Sequence, residues 1–254
     1  MQIHFLRHAT LILSLKGINL LVDPMLSHAE AMEPVQNAAN QKRIPLVELP
    51  LTGRELNSLL LGITGVLVTH THRDHWDGRA VELLPKSIPI FCQPEDEAGI
   101  RGAGFTMVTA IQRELFWEGF TIHRTGGRHG TGEIGRKMGH VSGFVVRAEN
   151  EPAVYIAGDT VWSPEVSDAL KRFTPDVVIV NAGAASFLSG DPITMTAEDV
   201  TQVCRTCPSA HVVAVHMEAV NHCGLTREGL KKRLEQENLA QRVSIPSDGS
   251  VLTF

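Results

Sequence analysis

Three histidines and an aspartate lie within six positions of one another in the segment from Thr69 to His75. The segment directly follows the apolar run from Gly65 to Val68, which is typical of a buried strand. Residues two apart on an extended chain share a face, so the end of this strand presents His70 and His72 together. Imidazole and carboxylate groups are ligands for zinc, iron and, with more oxygen donors, manganese. The sequence therefore predicts a metal site and leaves the element open.

Three more strand-like segments end at residues that can bind a metal. Candidate ligands beyond the carboxyl ends of strands lie where open α/β sheets commonly place their sites. We therefore expect these ends to converge with the histidine cluster on one rim. The segments and the residues that follow them are 120–125 with His129, 153–157 with Asp159, and 211–215 with His216.

In order and broad spacing, these residues resemble the ligand set of the metallo-β-lactamase fold across nearly the whole chain. The resemblance implies two divalent metal ions, with zinc favoured and manganese or iron as alternatives. It also implies an αβ/βα four-layer sandwich, in which two mixed β-sheets carry helices on their outer faces and the site lies along one edge. The ligands implied for the first metal are His70, His72 and His129, those for the second are Asp74, His75 and His216, and the bridging residue is Asp159.

Four short phrases narrow the resemblance within that superfamily. They are most similar to a branch of small cytoplasmic hydrolases that includes the L-ascorbate-6-phosphate lactonases. Paired cations lower the pKa of a shared water, so we expect a metal-bridging hydroxide to attack a lactone or other ester bond of a small, anionic substrate. A phosphodiesterase and a non-catalytic metal-binding sensor are the alternatives. The phrases lie at positions 7–10, 22–24, 158–160 and 216–222.

Two residues are predicted to take part in catalysis in addition to holding or flanking the metals. One is Asp74. The other is His222, six residues beyond His216, which is a candidate general acid or donor to the leaving group. An ordinary capping histidine is the alternative for His222. The resemblance also places His8 near the edge of the site, where it is a candidate to hold a ligand in place.

Substrate contacts are predicted from two further regions. A glycine-rich segment would bring Lys137, His140 and Ser142 to an anionic group of the substrate, although its glycines would equally suit a plain loop with positive φ. Asn181 ends the apolar strand 177–180 and would reach the same rim, where it would contact the substrate or Asp159.

Composition supports a soluble intracellular protein of this kind. The chain has 254 residues, of which 43% are hydrophobic, and the resemblance favours one continuous domain over residues 1–254. Its 23 basic and 28 acidic residues give a net charge of −5, without the basic stripe of a nucleic-acid binder. No signal-peptide pattern or membrane-spanning apolar run is present, so a cytoplasmic protein with a small-molecule substrate and no membrane partner is expected. The oligomeric state is open, with a homo-oligomer as one option.

The remaining elements are expected to be scaffold. Helices are predicted from Pro164 to about Phe173, from Thr196 to about Cys207, from about Gly78 to Leu84, and from Thr226 through Leu239. The four cysteines are scattered and are expected to be reduced, and the pair Cys204 and Cys207 is interpreted as buried thiols within a helix. The irregular segment 24–50 is either a loop that covers the metal rim or a plain surface loop.

Overall fold

The computed structural model of the protein describes all 254 residues. Fourteen strands and seven α-helices alternate along the chain, with short 3₁₀ helices at Pro94–Asp96 and Ala240–Arg242. The strands are β1 (Gln2–Arg7), β2 (Thr10–Leu15), β3 (Ile18–Val22), β4 (Gly65–Val68), β5 (Ile90–Cys92), β6 (Val108–Ala110), β7 (Glu114–Trp117), β8 (Phe120–Gly126), β9 (Ser142–Ala148), β10 (Val154–Ile156), β11 (Val177–Asn181), β12 (His211–Val215), β13 (Val243–Ser244) and β14 (Val251–Thr253). The helices are α1 (Gly53–Leu61), α2 (Gly78–Leu83), α3 (Glu97–Gly102), α4 (Gly132–Met138), α5 (Pro164–Phe173), α6 (Ala197–Thr206) and α7 (Arg227–Gln236).

The strands form two seven-stranded mixed sheets. The first has the order β14-β1-β2-β3-β4-β5-β6 and the second the order β13-β12-β11-β10-β9-β8-β7. In the first sheet β3 to β6 run parallel, and in the second sheet β10 to β13 do, while the other pairs are antiparallel. Helices α1 to α3 cover the first sheet, and α5 to α7 cover the second. The predicted αβ/βα sandwich of two mixed sheets is confirmed.

Successive side chains of the central strands alternate between the core that lies between the two sheets and the cores that lie under the helices. In β11, Val177 and Ile179 pack into the central core between the two sheets, whereas Val178 and Val180 pack against the helices on the other face. Successive side chains of a strand point to opposite faces, so an all-apolar strand must be covered on both sides. Strands β4 and β12 divide their side chains in the same way. The central strands are therefore buried on both faces, and their ends are the places where polar groups can be presented.

The helices begin where the sequence predicts. The Ser163 side chain accepts a hydrogen bond from the backbone of Val166 at the start of α5, and Thr196 forms a capping box with Asp199 at the start of α6. The final helix is shorter than predicted: α7 ends at Gln236, and Leu239 lies outside it, directly before the second 3₁₀ helix. No helix in the structure combines the length and the apolar character that crossing a bilayer requires.

Segment 24–50 contains neither a helix nor a named strand and is fixed by local contacts. An isolated bridge joins Met32 to Ile44. The buried guanidinium of Arg7 donates hydrogen bonds to three of the segment's carbonyl groups, at 2.8 Å to Val47, 2.8 Å to Met25 and 2.9 Å to Ser27. Three charge-assisted bonds from one side chain hold both ends of the segment to the end of β1.

Candidate metal centre

The predicted cluster begins immediately after β4, in a tight turn. The backbone amides of His75 and Trp76 both donate to the carbonyl of His72, at 2.8 and 2.9 Å. The turn directs His70 and His72 toward one side of a small volume and Asp74 and His75 toward the other. His70, Asp74 and His75 are buried, and His72 is half-buried.

The first set of donors consists of His70, His72 and His129. The Nδ1 atom of His72 lies 3.0 Å from Nε2 of His70 and 3.2 Å from Nε2 of His129. The loop after β8 carries His129 to this position, and its Nδ1 lies 2.9 Å from the carbonyl oxygen of Ile193. The three donor atoms lie within 4.8 Å of one another, close enough to share one ion.

The second set consists of Asp74, His75 and His216. His216 directly follows β12, and its Nε2 lies 3.2 Å from Nε2 of His75. The Oδ2 atom of Asp74 lies 3.9 Å from Nε2 of His75 and 3.8 Å from Nε2 of His216. The structure groups His8 with these three residues, because its Nε2 is 3.1 Å from the same Asp74 oxygen.

Asp159 lies between the two sets. The loop after β10 places its Oδ2 3.3 Å from Nε2 of His75 and 3.6 Å from Nε2 of His129, while its Oδ1 is 3.2 Å from Nε2 of His216. The side-chain amide of Asn181 donates to Oδ1 at 2.6 Å. One carboxylate thus reaches ligands of both sets, as a bridging residue must, and Asn181 fixes its orientation.

The outer nitrogens of the histidines show that this donor set suits cations. The Nδ1 atom of His75 faces the carboxylate of Asp23, that of His129 faces a carbonyl, and that of His70 faces the Thr69 hydroxyl, whose own proton goes to Asp23. Each outer partner is an acceptor, so the protons sit on Nδ1 and the Nε2 lone pairs point inward. Converging lone pairs about 3 Å apart repel one another unless positive charge lies between them. The residues therefore fit divalent metal ions.

In the metal-free site, the acidic ligands likewise favour a positive charge among them. Burial opposes a charge on His75, but the carboxylates of Asp159, Asp23 and Asp74 outweigh that effect and raise its pKa well above the usual value. Burial also opposes the charges on Asp74 and Asp159, yet the surrounding histidines keep the pKa of both carboxyl groups well below the usual range. Both acids are anionic at neutral pH, as metal ligands must be.

Burial keeps other histidines of the site neutral. It lowers the pKa of His70 well below the usual value, that of His129 to about 4 and that of His8 to about 3, with neighbouring histidines adding to the effect. A neutral imidazole is the form that binds a metal, so His70 and His129 are ready to bind across the physiological pH range.

A cavity of about 400 Å³ opens onto these residues. Segment 24–50 contributes Val35 and Gln36 to its wall, so part of that segment covers the metal rim. The buried side chain of His222 also lines the cavity, and burial lowers its pKa. The remaining lining residues are Thr71, His72, Arg73, Asp74, His129, Met138, Asp159 and Phe187.

Three of the four residues predicted to contact substrate do not line this cavity, whereas Asn181 meets one of its two predicted partners. Lys137 is exposed on α4 and pairs with Glu133 at 2.8 Å, and His140 is exposed in a neighbouring cavity. Ser142 is completely buried and donates to the side chain of Gln93 at 2.9 Å. None of these three lines the metal cavity, and Asn181 contacts Asp159 rather than open space. Chain proximity to His129 indicated these residues, but within the stretch 137–142 only Met138, at the end of α4, reaches the metal cavity.

Several supporting contacts had little or no sequence signal. Residue types alone could not identify the partner of His129 Nδ1, which is the carbonyl of Ile193. The same holds for His216, whose Nδ1 lies 3.6 Å from Sγ of Cys223. Gly183 follows β11, and a Cβ there would lie 2.3 Å from the carbonyl oxygen of His216. This glycine lets the His216 loop pack directly against β11, so its small size serves packing.

Comparison with known proteins agrees with this geometry. Residues 18–217 match the family described as the beta-lactamase superfamily domain. The chain is 35% identical to the UPF0173 protein YddR of Bacillus subtilis (strain 168), and the match covers 100% of each chain.

Two solved structures have similar folds over the same length. One is a possible metal-dependent hydrolase from Veillonella parvula DSM 2008, with 37% identity and a TM-score of 0.96 over 100% of this chain and 99% of that one. The other is an isothiocyanate hydrolase from Delia radicum gut bacteria, with 36% identity and a TM-score of 0.93 over the same shares of the two chains. The narrower prediction of an ascorbate-phosphate lactonase branch stays a prediction.

Proposed function

Since the chain belongs to the beta-lactamase superfamily, we propose that it hydrolyses a small electrophilic molecule at a centre of two divalent cations. It is a metal-dependent hydrolase of the metallo-β-lactamase fold. The observation that carries the two-metal proposal is the position of Asp159, within 3.6 Å of donors from both sets. His70, His72 and His129 would hold one ion, Asp74, His75 and His216 the other, and Asp159 would contact both.

The protein's own side chains would orient the reaction. Two divalent cations, with zinc favoured, would supply Lewis-acid chemistry when bound by these ligands, namely a water of lowered pKa and compensation of negative charge on the substrate. Asn181 holds the Asp159 carboxylate in place. His222 lines the cavity as a neutral imidazole, which can accept a proton and return it to the leaving group. We therefore assign proton transfer to His222.

We propose isothiocyanates as the first substrate class to test. The similar structure of an isothiocyanate hydrolase, which covers this chain completely, supports this choice. The cavity also offers the apolar side chains of Val35, Met138 and Phe187 to an organic substituent. Addition of water across the C=N bond of R–N=C=S gives a thiocarbamic acid, and cleavage of its C–N bond with proton transfer to nitrogen yields the amine and carbonyl sulfide.

Lactones and other esters are the second candidate class. Their carbonyl carbon is an electrophile of the same kind, so the chemistry that the bound cations would supply suits them equally. The resemblance of the phrases around the site to lactonases supports this alternative. Arg73, at the cavity wall, would pair with a substrate anion. Phosphodiester hydrolysis and metal binding without turnover are the further outcomes that the experiment separates.

The test combines metal analysis with a substrate panel. Protein purified without added metal is measured by elemental analysis and then assayed on isothiocyanates, lactones, phosphodiesters and thioesters. We expect two equivalents of metal and turnover in one of the first two classes. Full metal occupancy with no turnover of any class would favour the sensor alternative, and a single equivalent would contradict the two-metal centre.

Loss of the second set of ligands should abolish hydrolysis. Asp74→Ala or His75→Ala is expected to leave about one equivalent of metal and to lower kcat/KM by at least about 1,000-fold, because the activated water needs both cations. His28→Ala is the matched control, since that side chain is 78% exposed and paired only with Glu48. Wild-type activity in either ligand variant would refute the assignment.

A further inference from the structure

His8 lies at the turn between β1 and β2 and is held there by its backbone. Its carbonyl accepts a hydrogen bond of 2.7 Å from the amide of His216. Its φ of 62° is in the left-handed region that residues with a Cβ seldom adopt. The side chain is completely buried. A strained backbone and a buried imidazole beside the metal ligands indicate a specific task.

Two tasks fit the surroundings of the His8 ring. Its Nε2 is 3.1 Å from Oδ2 of Asp74, and its ring lies over that of His216 with the centroids 3.6 Å apart. Its donor atom lies within 4.8 Å of those of Asp74, His75 and His216. His8 is therefore either a further ligand of the second metal or a hydrogen-bond donor to Asp74.

The other ring nitrogen distinguishes these tasks. Metal-binding histidines almost always donate their second N–H to a partner. The Nδ1 atom of His8 is buried and has no hydrogen-bond partner. A metal on Nε2 would force the proton onto Nδ1 and leave a buried N–H without an acceptor, whereas a proton on Nε2 is satisfied by Asp74. By contrast, the other buried ligand histidines have partners at Nδ1, namely Thr69 for His70, Asp23 for His75, Ile193 for His129 and Cys223 for His216.

We propose that His8 is a positioning residue that donates from Nε2 to Asp74 and holds this carboxylate toward the second metal position. The proposal rests on the two-metal centre proposed above. The Asp74 side chain is 11% exposed at the cavity, and no other side chain in the structure donates a hydrogen bond to it. Without His8, the carboxylate is free to rotate toward solvent. His8 therefore sets the affinity of the second site without touching the metal.

The test measures metal binding in two variants. For His8→Ala, titration against a competing chelator should show the second equivalent bound about 10- to 100-fold more weakly, with the first unchanged. His8→Gln should restore most of that loss, because its amide N–H can donate to Asp74, and binding of the metal by its amide oxygen instead would change the ligand set that the cobalt spectrum reports. His4→Ala, on β1 just before this turn and outside the site, is the control and should bind like wild type.

The visible absorption spectrum of the cobalt(II)-loaded protein is a second measurement, and a purely structural role of His8 would not change it. His8→Gln should keep the wild-type positions of the visible absorption bands, since its ligand atoms are unchanged. A shift of those bands, or equal metal loss in His8→Gln and His8→Ala, would identify His8 as a ligand and overturn the proposal. Wild-type affinity in His8→Ala would overturn it as well.

Two measurements distinguish a failure of the His8 proposal from a failure of the two-metal proposal. If wild-type protein binds only one equivalent, the two-metal centre fails, whereas wild-type binding of two equivalents with an unaffected His8→Ala variant defeats the role of His8 alone. Circular dichroism compares the folding of all variants. If His8→Ala does not fold, the comparison of His8→Gln with wild type in the titration and in the cobalt spectrum decides the question.

Discussion

At the scale of single residues, the groups behind the ligands determine which atom each ligand presents. Asp23 accepts hydrogen bonds from the amide and the hydroxyl of Thr69, both at 2.7 Å, and faces Nδ1 of His75 at 2.9 Å. A single carboxylate therefore fixes the end of β4 and the ring of a ligand together. Because Asp23 has two acceptor oxygens, it can contact both ends of the metal motif, Thr69 and His75, although it lies far from the motif in sequence. Asp77, another buried acid close to the motif, instead caps α2 and accepts from the amide of Ser27.

The buried neutral histidines predict a pH dependence for the metal-free protein. His8 and His129, with pKa values lowered to about 3 and about 4 by burial, stay neutral in the folded state at pH 5. In the unfolded chain a histidine has a pKa near 6.5, so the unfolded state binds more protons and stability falls as pH falls. Between pH 6.5 and 5 the free energy of unfolding should decrease by about 2 kcal/mol for each of the two. Urea denaturation of chelator-treated protein measures this decrease.

The double variant His8→Gln, His129→Asn is the control for this prediction. It removes both neutral imidazoles, so its stability should depend less on pH in the same window. Stability that is constant or that rises as the pH falls from 6.5 to 5 in the wild-type protein would contradict the expected sign. The carboxyl groups of Asp74 and Asp159 titrate below this window in both states, so they do not obscure it.

At the scale of elements, the turn from Arg7 to Thr10 organises the site from outside the metal motif. Arg7 holds segment 24–50, His8 contacts Asp74, and the Thr10 hydroxyl donates to the carbonyl of Asp23 at 2.7 Å. Burial lowers the pKa of Arg7 to about 10, so its charge persists at neutral pH and its hydrogen bonds remain charge-assisted. Three polar side chains of one turn thus hold segment 24–50, the ligand Asp74 and the backbone of Asp23.

Asn221 is a second residue that holds segment 24–50 in place over the cavity. Its side chain exchanges hydrogen bonds of 2.9 and 3.0 Å with the backbone of Val35 and donates to the carbonyl of Asn40 at 2.8 Å. Asn221→Ala should lower the free energy of unfolding by about 2 kcal/mol, because the buried Asn221 side chain makes three hydrogen bonds that the variant loses. It should also raise KM severalfold, since Val35 and Gln36 line the cavity. Denaturation and steady-state kinetics measure the two effects.

Gln41→Ala is the matched control for the segment. Its side chain is exposed and makes one weak contact of 3.4 Å within the same stretch, so stability and KM should stay close to wild type. If Asn221→Ala leaves KM unchanged while stability falls, the segment supports the fold but does not shape the substrate cavity.

At the scale of the whole molecule, the site exists because two sheets meet at one rim. The histidine motif follows β4 of the first sheet, whereas His129, Asp159 and His216 follow β8, β10 and β12 of the second. The central core holds those sheets in register, and residues such as Phe144 and Val146 of β9 pack within it. Packing between the sheets is therefore a condition for bringing both sets of ligands together.

Removing a large side chain from the central core tests this dependence. Phe144→Ala should lower the free energy of unfolding by about 4 kcal/mol, because Phe144 is 0% exposed and leaves a cavity between the sheets. Phe116→Ala, on edge strand β7 with 74% exposure, should change stability by less than about 0.5 kcal/mol. Chemical denaturation and metal content measure both variants. Equal stability losses would contradict the assignment of Phe144 to the core.

Local patterns in the sequence determined much of this protein. Strand-like runs followed by His, Asp or Asn predicted β4, β8, β10, β11 and β12, and capping residues predicted the starts of α5 and α6, because both signals depend on neighbours a few positions apart. The ordered set of histidines and acids also indicated the fold, which the two mixed sheets confirm.

Only the tertiary structure decided what lies behind and beside those ligands. It placed His8 against Asp74 and Asp23 against His75, it selected Asp159 from the two predicted partners of Asn181, and it placed Lys137 and Ser142 away from the cavity. The physical reason is one of distance along the chain. A strand's periodicity fixes which face a side chain takes, but the approach of residues 20 to 70 positions apart depends on how sheets and loops pack.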